Sequence, residues 1–210
     1  MDVATENALL DDLFATCDGG LAAADEILAA ARQALAANVS HDGKVDAVLL
    51  EAEQFAAHGF AWLTTYVEGL RNMLDWGRRL EGEGKLGELE SLMVQAAFGE
   101  YLNQICGGIA ISQVEVARLS EIGIENEKLH DLCNDDMDTL MQAGNTNAVR
   151  MRIGELIADC RFGEVALGDE TLELIRDQFR RFVDEQVLPD AHEWHLKDDF
   201  IPMAVVEQMS

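Results

Sequence analysis

The chain has 210 residues with only 2 prolines, and 49% of it is hydrophobic, so helix formers dominate and a sizeable core is available. Lys plus Arg number 15 against 40 Asp plus Glu, a net charge of −25, which opposes both a nucleic-acid partner and an anionic membrane surface, because phosphates need clustered cations. The N-terminus shows no basic segment followed by an apolar run, and no apolar stretch approaches a membrane span, so the expected location is the cytoplasm.

Gly19-Gly20 is read as closing a short first segment. Leu21, Ile27, Leu28, Ala31 and Leu35 then share one helical stripe, and "SHDGK" breaks that helix. From about 44 to 81 the apolar positions recur at three and four. They are Val45, Val48, Leu49, Ala52, Phe55, Ala56, Gly59, Trp62, Leu63, Tyr66, Val67, Leu70 and Leu74. This is the helical period sustained for about ten turns, roughly 55 Å. Gly59, Gly69 and Gly77 each cost about 1 kcal/mol against alanine in such a helix, so packing must override propensity.

"EGEGKLG" is a turn by its glycines. A second long helix over about 86 to 106 carries Leu89, Leu92, Met93, Ala96, Leu102 and Ile105. The two long helices are expected to lie antiparallel. Phe55, Trp62, Leu63, Tyr66 and Leu70 would be buried against Leu92, Met93, Ala96 and Leu102. Gly107-Gly108 interrupts the second helix. "SQVEVARLSEIG" is expected to resume it, with Ser112 as N-cap, Glu115 at capping-box spacing and Gly123 as C-cap. Helices over about 125 to 142 and 147 to 160 follow. The last long helix opens at Asp169, a good N-cap, with Glu170 in its first turn. It presents Leu172, Ile175, Phe179, Phe182, Val183 and Val187 on one face, and Pro189 marks its end or a kink. An aromatic connector then leads into a further helix. No strand signal survives, so the fold class is all-α, an up-and-down helical bundle.

Motifs name no catalytic machinery. His192 and His195, with Glu193 and Asp198 near, lack the i, i+4 spacing of a zinc-binding HExxH helix, so they read as connector histidines. "CNDDMD" lacks the glycine and terminal glutamate of an EF-hand and reads as an acidic helix face. Gly107-Gly108 has no GxGxxG context and reads as a helix break rather than a phosphate loop. Trp62, Tyr66 and Trp76 read as core rather than a stacking platform. The densest arginines, Arg150, Arg152, Arg161, Arg176, Arg180 and Arg181, are interleaved with acids and form no basic patch. Cys17, Cys106, Cys133 and Cys160 are far apart with no CxxC pair, and read as reduced thiols that mostly fill core.

Two stretches carry a resemblance. Val187, Pro189, Ala191, Trp194, Ile201 and Pro202 stand where the acyl-CoA dehydrogenase family has the connector between its first helices. "AHGFAWLTTYVEGLRNMLDW", "FGEYLNQICGGIAISQVEVARL" and "LGDETLELIRDQFRRFVDEQVLPDAHEWHLKDDFIP" resemble, in order, the N-terminal extension of the methylsuccinyl-CoA dehydrogenase branch of that family. The likeness runs from about residue 42 to the end, and is looser over the first 40.

The resemblance implies a helical extension over 1–165, similar to the family's own C-terminal helical domain. The first helices of the dehydrogenase N-terminal domain, truncated, would occupy 166–210. For the parent protein it implies an FAD-dependent oxidation of an acyl-CoA, here methylsuccinyl-CoA to mesaconyl-CoA in the ethylmalonyl-CoA route. A carboxylate would take the α-proton and flavin N5 the β-hydride. Partners would be the rest of the dehydrogenase and sister subunits of a homo-oligomer. The family's catalytic glutamate and flavin contacts lie downstream, so no catalytic, cofactor-binding or metal-binding residue is assigned in this chain. The chain alone is expected to be a non-catalytic fragment that holds neither FAD nor acyl-CoA. Apolar Trp194, Phe200, Ile201, Met203, Val205, Val206 and Met209 would be covered by the missing remainder. Two other readings stay open: a free-standing interaction or regulatory bundle, and the front end of a different acyl-CoA dehydrogenase.

Overall fold

The two glycines that read as a helix end lie inside the first helix. In the computed structural model, which describes residues 8–164 and 167–209, α1 runs Leu13–Val39 straight through Gly19 and Gly20. Their role is approach rather than termination. A Cβ on Gly19 would collide with the Asp136 carboxylate, and one on Gly20 would meet Leu140 Cδ1 at 2.6 Å. Small residues here let a crossing helix come close.

The chain divides into two compact units, Met1–Glu164 and Val165–Ser210. In the first, a two-residue hairpin of β1 (Ser40–His41) and β2 (Lys44–Val45) follows α1. The expected helix over 44–81 therefore starts later and in two pieces, α2 (Ala47–Ala52) and α3 (Gln54–Gly82). Asp46 caps α2 by accepting from the Val48 and Leu49 amides. The turn at 83–87 leads into α4 (Glu88–Gly107).

Side-chain pairs fix the directions of these helices. Tyr66 meets Tyr101 and Gln104, and Gly77 meets Val94, so α3 and α4 are antiparallel, as the periodicity implies. Asp25 pairs with Arg71 and Asp18 with Arg78, so α1 and α3 are antiparallel too. Beyond α4 come β3 (Ile109–Ala110), β4 (Val116–Ala117), a 3-10 turn over Leu119–Ile122, α5 (Asn126–Leu132), α6 (Asp135–Ala143) and α7 (Asn147–Ala158). Gly99 of α4 abuts the backbone of Gly144 and Asn145, and Asn103 donates to the Met141 carbonyl at 2.8 Å. Helix α6 thus runs antiparallel to α4, and the unit is an all-α up-and-down bundle with two minimal hairpins.

Helix α4 is central. Leu89, Leu92, Val94, Phe98, Leu102 and Ile105 are all buried, together with Gln95. Gln95 earns its place by bonding: its Oε1 accepts from the Leu10 amide at 2.8 Å, and its Nε2 donates to the Ala8 carbonyl at 2.8 Å. The core cluster joins Ile27, Leu63, Val67, Leu70, Phe98, Leu102 and Met137, each shut from solvent.

The expected stripe holds for Leu63, Leu70, Leu92 and Leu102, while Trp62, Tyr66 and Ala96 are half-buried. Phe55 and Met93 depart from it, at 78% and 41% exposure. Phe55 lies in the first turn of α3, just past the break at Glu53, where the two-piece geometry turns it out. The helix expected from Ser112 is absent: 109–117 is a hairpin, and Ser112 Oγ accepts from Val114 N at 3.3 Å within its turn. The capping interaction falls later, where the Arg118 amide donates to Glu121 Oε2 at 3.0 Å. Gly123 does cap that turn, with φ 98°. The helix expected over 125–142 breaks at Cys133-Asn134, because Asn134 caps a new helix by accepting from Met137 N.

In the second unit, Asp169 caps α8 (Glu170–Phe182), accepting from the Thr171 and Leu172 amides at 2.8 and 3.0 Å. Pro189 does not end the helix. A π-helical turn over Val183–Val187 precedes it, with Leu188 N–H reaching Val183 O, and α9 (Leu188–Lys197) continues. The wider turn accommodates a residue that lacks an N–H and whose ring crowds the carbonyl four residues back. The expected aromatic connector is therefore largely helical. Asp198, at φ 55°, closes α9, and α10 (Met203–Gln208) ends the described chain.

Candidate functional site

The residues weighed for chemistry are dispersed. His192 and His195 lie exposed on α9, where Glu193 is engaged by Lys197 one turn on. Asp135, Asp136 and Asp138 occupy the first turn of α6, where carboxylates complement the helix dipole, and Asp136 also packs on α1 at Gly19. Among the described residues no group of three or more His, Cys, Asp or Glu is placed to hold a metal ion. Gly107 ends α4, and Gly108, at φ 121°, starts the β3–β4 hairpin; a Cβ there would meet Val116 Cγ1 at 2.7 Å. It shapes a backbone turn rather than a phosphate cradle.

Burial pushes the Cys17 thiol up to about 12, and Cys17 is core. Cys106 and Cys133 pack against the core, so the thiols mostly fill core as read, and Cys160 is the exposed one.

One arrangement that sequence reading missed is a polar-aromatic ladder on α3 and α4. Trp62 Nε1 donates to His58 Nε2 at 3.0 Å, which leaves Nδ1 to carry the proton towards Glu115 Oε1, 3.4 Å away on the β3–β4 hairpin. Trp62 stacks edge-on with Tyr66, and Tyr66 packs on Tyr101 with ring centroids 4.6 Å apart. Tyr66 Oη donates to Gln104 Oε1 at 2.7 Å, and Gln104 Nε2 to Glu100 Oε1 at 2.6 Å. Asn145 donates to the other Glu100 oxygen at 2.9 Å. Burial raises the Tyr66 pKa, while the amide donors lower that of Glu100. The chain of bonds therefore runs from a retained phenol proton to a retained carboxylate. It clamps α3, α4, the hairpin and the start of α7 together; no nucleophile is paired with a base in it. The i, i+4 spacing of His58 and Trp62 was visible, but Glu115 is remote in sequence.

A cleft of about 700 Å³ lies between α1 and α3, lined by Asp25, Leu28, Arg32, Ala36, Phe60 and Thr64 among others. Its acid, Asp25, is already held by Arg71 at 2.6 Å. The second unit offers a different surface. Leu172, Ile175 and Phe179 of α8 and Val183 of the π turn are exposed along one stripe, and Leu188, Leu196, Phe200, Ile201 and Met203 extend the apolar exposure. An exposed apolar stripe of this extent marks an interaction face.

No family model matches the chain. It is 50% identical, over 98% of its length, to (2S)-methylsuccinyl-CoA dehydrogenase of Cereibacter sphaeroides. Over that length the chain is similar to methylsuccinyl-CoA dehydrogenase. The likeness read from the quoted stretches is upheld, and it extends over the first 40 residues as well. The chain spans 37% of that relative's length. Among the described residues no helix is long and apolar enough to cross a membrane.

Proposed function

We propose that this chain is the N-terminal, non-catalytic part of a flavin-dependent dehydrogenase that oxidises methylsuccinyl-CoA to mesaconyl-CoA in the cytoplasm, as part of a homo-oligomer. The observation that carries this reading is the 50% identity to (2S)-methylsuccinyl-CoA dehydrogenase over 98% of the chain. Residues 1–165 form the helical extension, and residues 166–210 open the dehydrogenase domain proper.

The residues that line the α1–α3 cleft do not fit FAD. The α1–α3 cleft brings one cation, Arg32, to a ligand that carries a pyrophosphate, and the acid beside it would repel that group. No step is therefore assigned to this chain's side chains. Its contribution is architectural: the bundle supplies a rigid body, and the apolar stripe of α8–α10 supplies the face on which the remainder of the enzyme folds.

The test is to express the complete gene and assay (2S)-methylsuccinyl-CoA oxidation with an artificial electron acceptor, beside residues 1–210 alone. The expected result is turnover and a bound yellow flavin in the former, and neither in the latter. Stoichiometric flavin retained by residues 1–210 would overturn the division of labour. A complete protein inert towards methylsuccinyl-CoA but active on another acyl-CoA would overturn the substrate.

A further inference from the structure

Helix α3 carries the β3–β4 hairpin near its N-terminal end. Gly59 leaves little room there, since a Cβ would stand 3.2 Å from Ala117 Cβ and 3.4 Å from Ile122 Cδ1. One residue earlier, His58 makes the polar contact. Its Nε2 accepts from Trp62 Nε1 at 3.0 Å, and its Nδ1 lies 3.4 Å from Glu115 Oε1. Glu115 also shapes the hairpin turn, because its carbonyl accepts from the Ile111 and Ser112 amides at 2.9 and 3.2 Å. Other charged groups on the elements packed against α3 are engaged elsewhere. Arg118 and Glu121 pair with each other, Asp25 of α1 is held by Arg71, and Glu100 of α4 by Gln104 and Asn145. Arg32 of α1 lines the cleft at Phe60 and Thr64, on another face of α3. Glu51 and Glu53, at the α2–α3 junction, form no ion pair with the ring; among the described residues Glu115 is the carboxylate that does.

We propose that His58 is a proton-operated switch that trades its bond to Trp62 for a firmer hold on the β3–β4 hairpin. Histidine is the side chain whose charge ordinarily changes between about pH 5 and 8. The neutral ring has one acceptor and one donor, and the geometry assigns them: Nε2 accepts from Trp62, which leaves the N–H on Nδ1, facing Glu115. A proton taken up from solvent therefore goes to Nε2. That nitrogen becomes a donor opposite the indole N–H, a second donor, so the Trp62 bond is lost while the indole keeps its own proton. The ring is now a cation beside Glu115, and the bond from Nδ1–H to that carboxylate becomes charge-assisted and stronger. Acid thus frees Trp62 at the head of the ladder that continues through Tyr66 and Tyr101, and tightens the grip on the hairpin turn. Base reverses both. His58 is half-exposed, so solvent protons reach it directly.

The experiment follows the 210-residue chain from about pH 8 to pH 5 by NMR, reading the Trp62 indole N–H and the His58 ring carbons, with the Trp76 indole as internal reference. The expected result is an upfield move of the Trp62 indole proton at the same midpoint as the His58 ring, while Trp76 stays still. His58→Gln, whose amide can accept from Trp62 and donate to Glu115 at every pH, leaves the Trp62 resonance flat. Two further variants move the His58 midpoint in opposite directions. Glu115→Gln lowers it, by removing the charge that favours the imidazolium, and Trp62→Phe raises it, by removing the bond that favours the neutral ring. A Trp62 indole resonance that stays put while His58 titrates would overturn the proposal. So would a His58 midpoint that neither variant moves, or that both move the same way.

Discussion

Helices α4 and α8 invert the usual relation between pattern and burial. Helix α4 has little one-sidedness in its sequence, yet ten of its residues are buried, polar Glu90, Ser91 and Gln95 among them. Helix α8 has the cleanest apolar stripe of the chain, and none of its residues is buried. A helix surrounded on all sides needs no polar face, whereas a sharply amphipathic helix states which face requires a partner without supplying one. The contrast teaches that α4 finds its neighbours within its own unit, while the α8 stripe finds none in its own.

The largest expected effect separates the two helices directly. Phe98→Ala removes a fully buried ring from the centre of the core and should cost about 3–5 kcal/mol, whereas Phe179→Ala on α8 should stay within roughly 0.5 kcal/mol in this chain. Urea denaturation of both variants checks it, and equal losses would break the comparison.

A smaller effect probes how α4 is approached. A Cβ on Gly99 would stand 2.6 Å from the Asn145 amide nitrogen, contact with backbone rather than a yielding side chain. Gly99→Ala should therefore force α4 and α6 apart at about 1–3 kcal/mol, despite its better helix propensity, and thermal melting reads the sign. At α8, Asp169→Ala should cost about 1 kcal/mol by releasing the Thr171 and Leu172 amides, measurable as lost helicity by circular dichroism.

The smallest effect is electrostatic. Arg152 holds Glu88 at 2.6 and 2.8 Å and lowers its pKa. A carboxylate with a depressed folded pKa contributes stability above its unfolded pKa, and loses it as pH falls through the folded value. Unfolding midpoints should thus decline slightly as pH drops below about 4.5, the ordinary value, and Arg152→Met should flatten that decline. Both side chains are more than a third exposed, which keeps the effect small.

Much of this was legible in the sequence where one signal acts locally. The stripe of α3, the cap at Asp169 and the stop at Gly107-Gly108 all come from spacing and residue chemistry within a turn or two. The errors fall where a distant element decides. Gly19-Gly20 reads as an end because their reason, the crossing of α6 at Asp136 and Leu140, lies far along the chain. Ser112 and Glu115 have capping-box spacing, but no apolar period follows them, and hairpin pairing of 109–110 with 116–117 wins. Pro189 was legible as a kink, though not as a π turn that lets the helix continue. On the functional side, the Val187 to Pro202 pattern and the longer stretches carried the family, whereas the His58–Glu115 clasp needed the fold.

The central claim of the proposed function is that the apolar stripe of α8–α10 would be a docking face for the remainder of a longer dehydrogenase. Hydrogen exchange of the backbone amides, compared between residues 1–210 alone and the full-length enzyme, tests it most directly. The account predicts that amides over 170–208 exchange roughly tenfold or more faster in the isolated chain, while those of α4 match in both. Equal and strong protection of 170–208 in the two proteins would contradict it, and would favour a free-standing bundle that completes its own core.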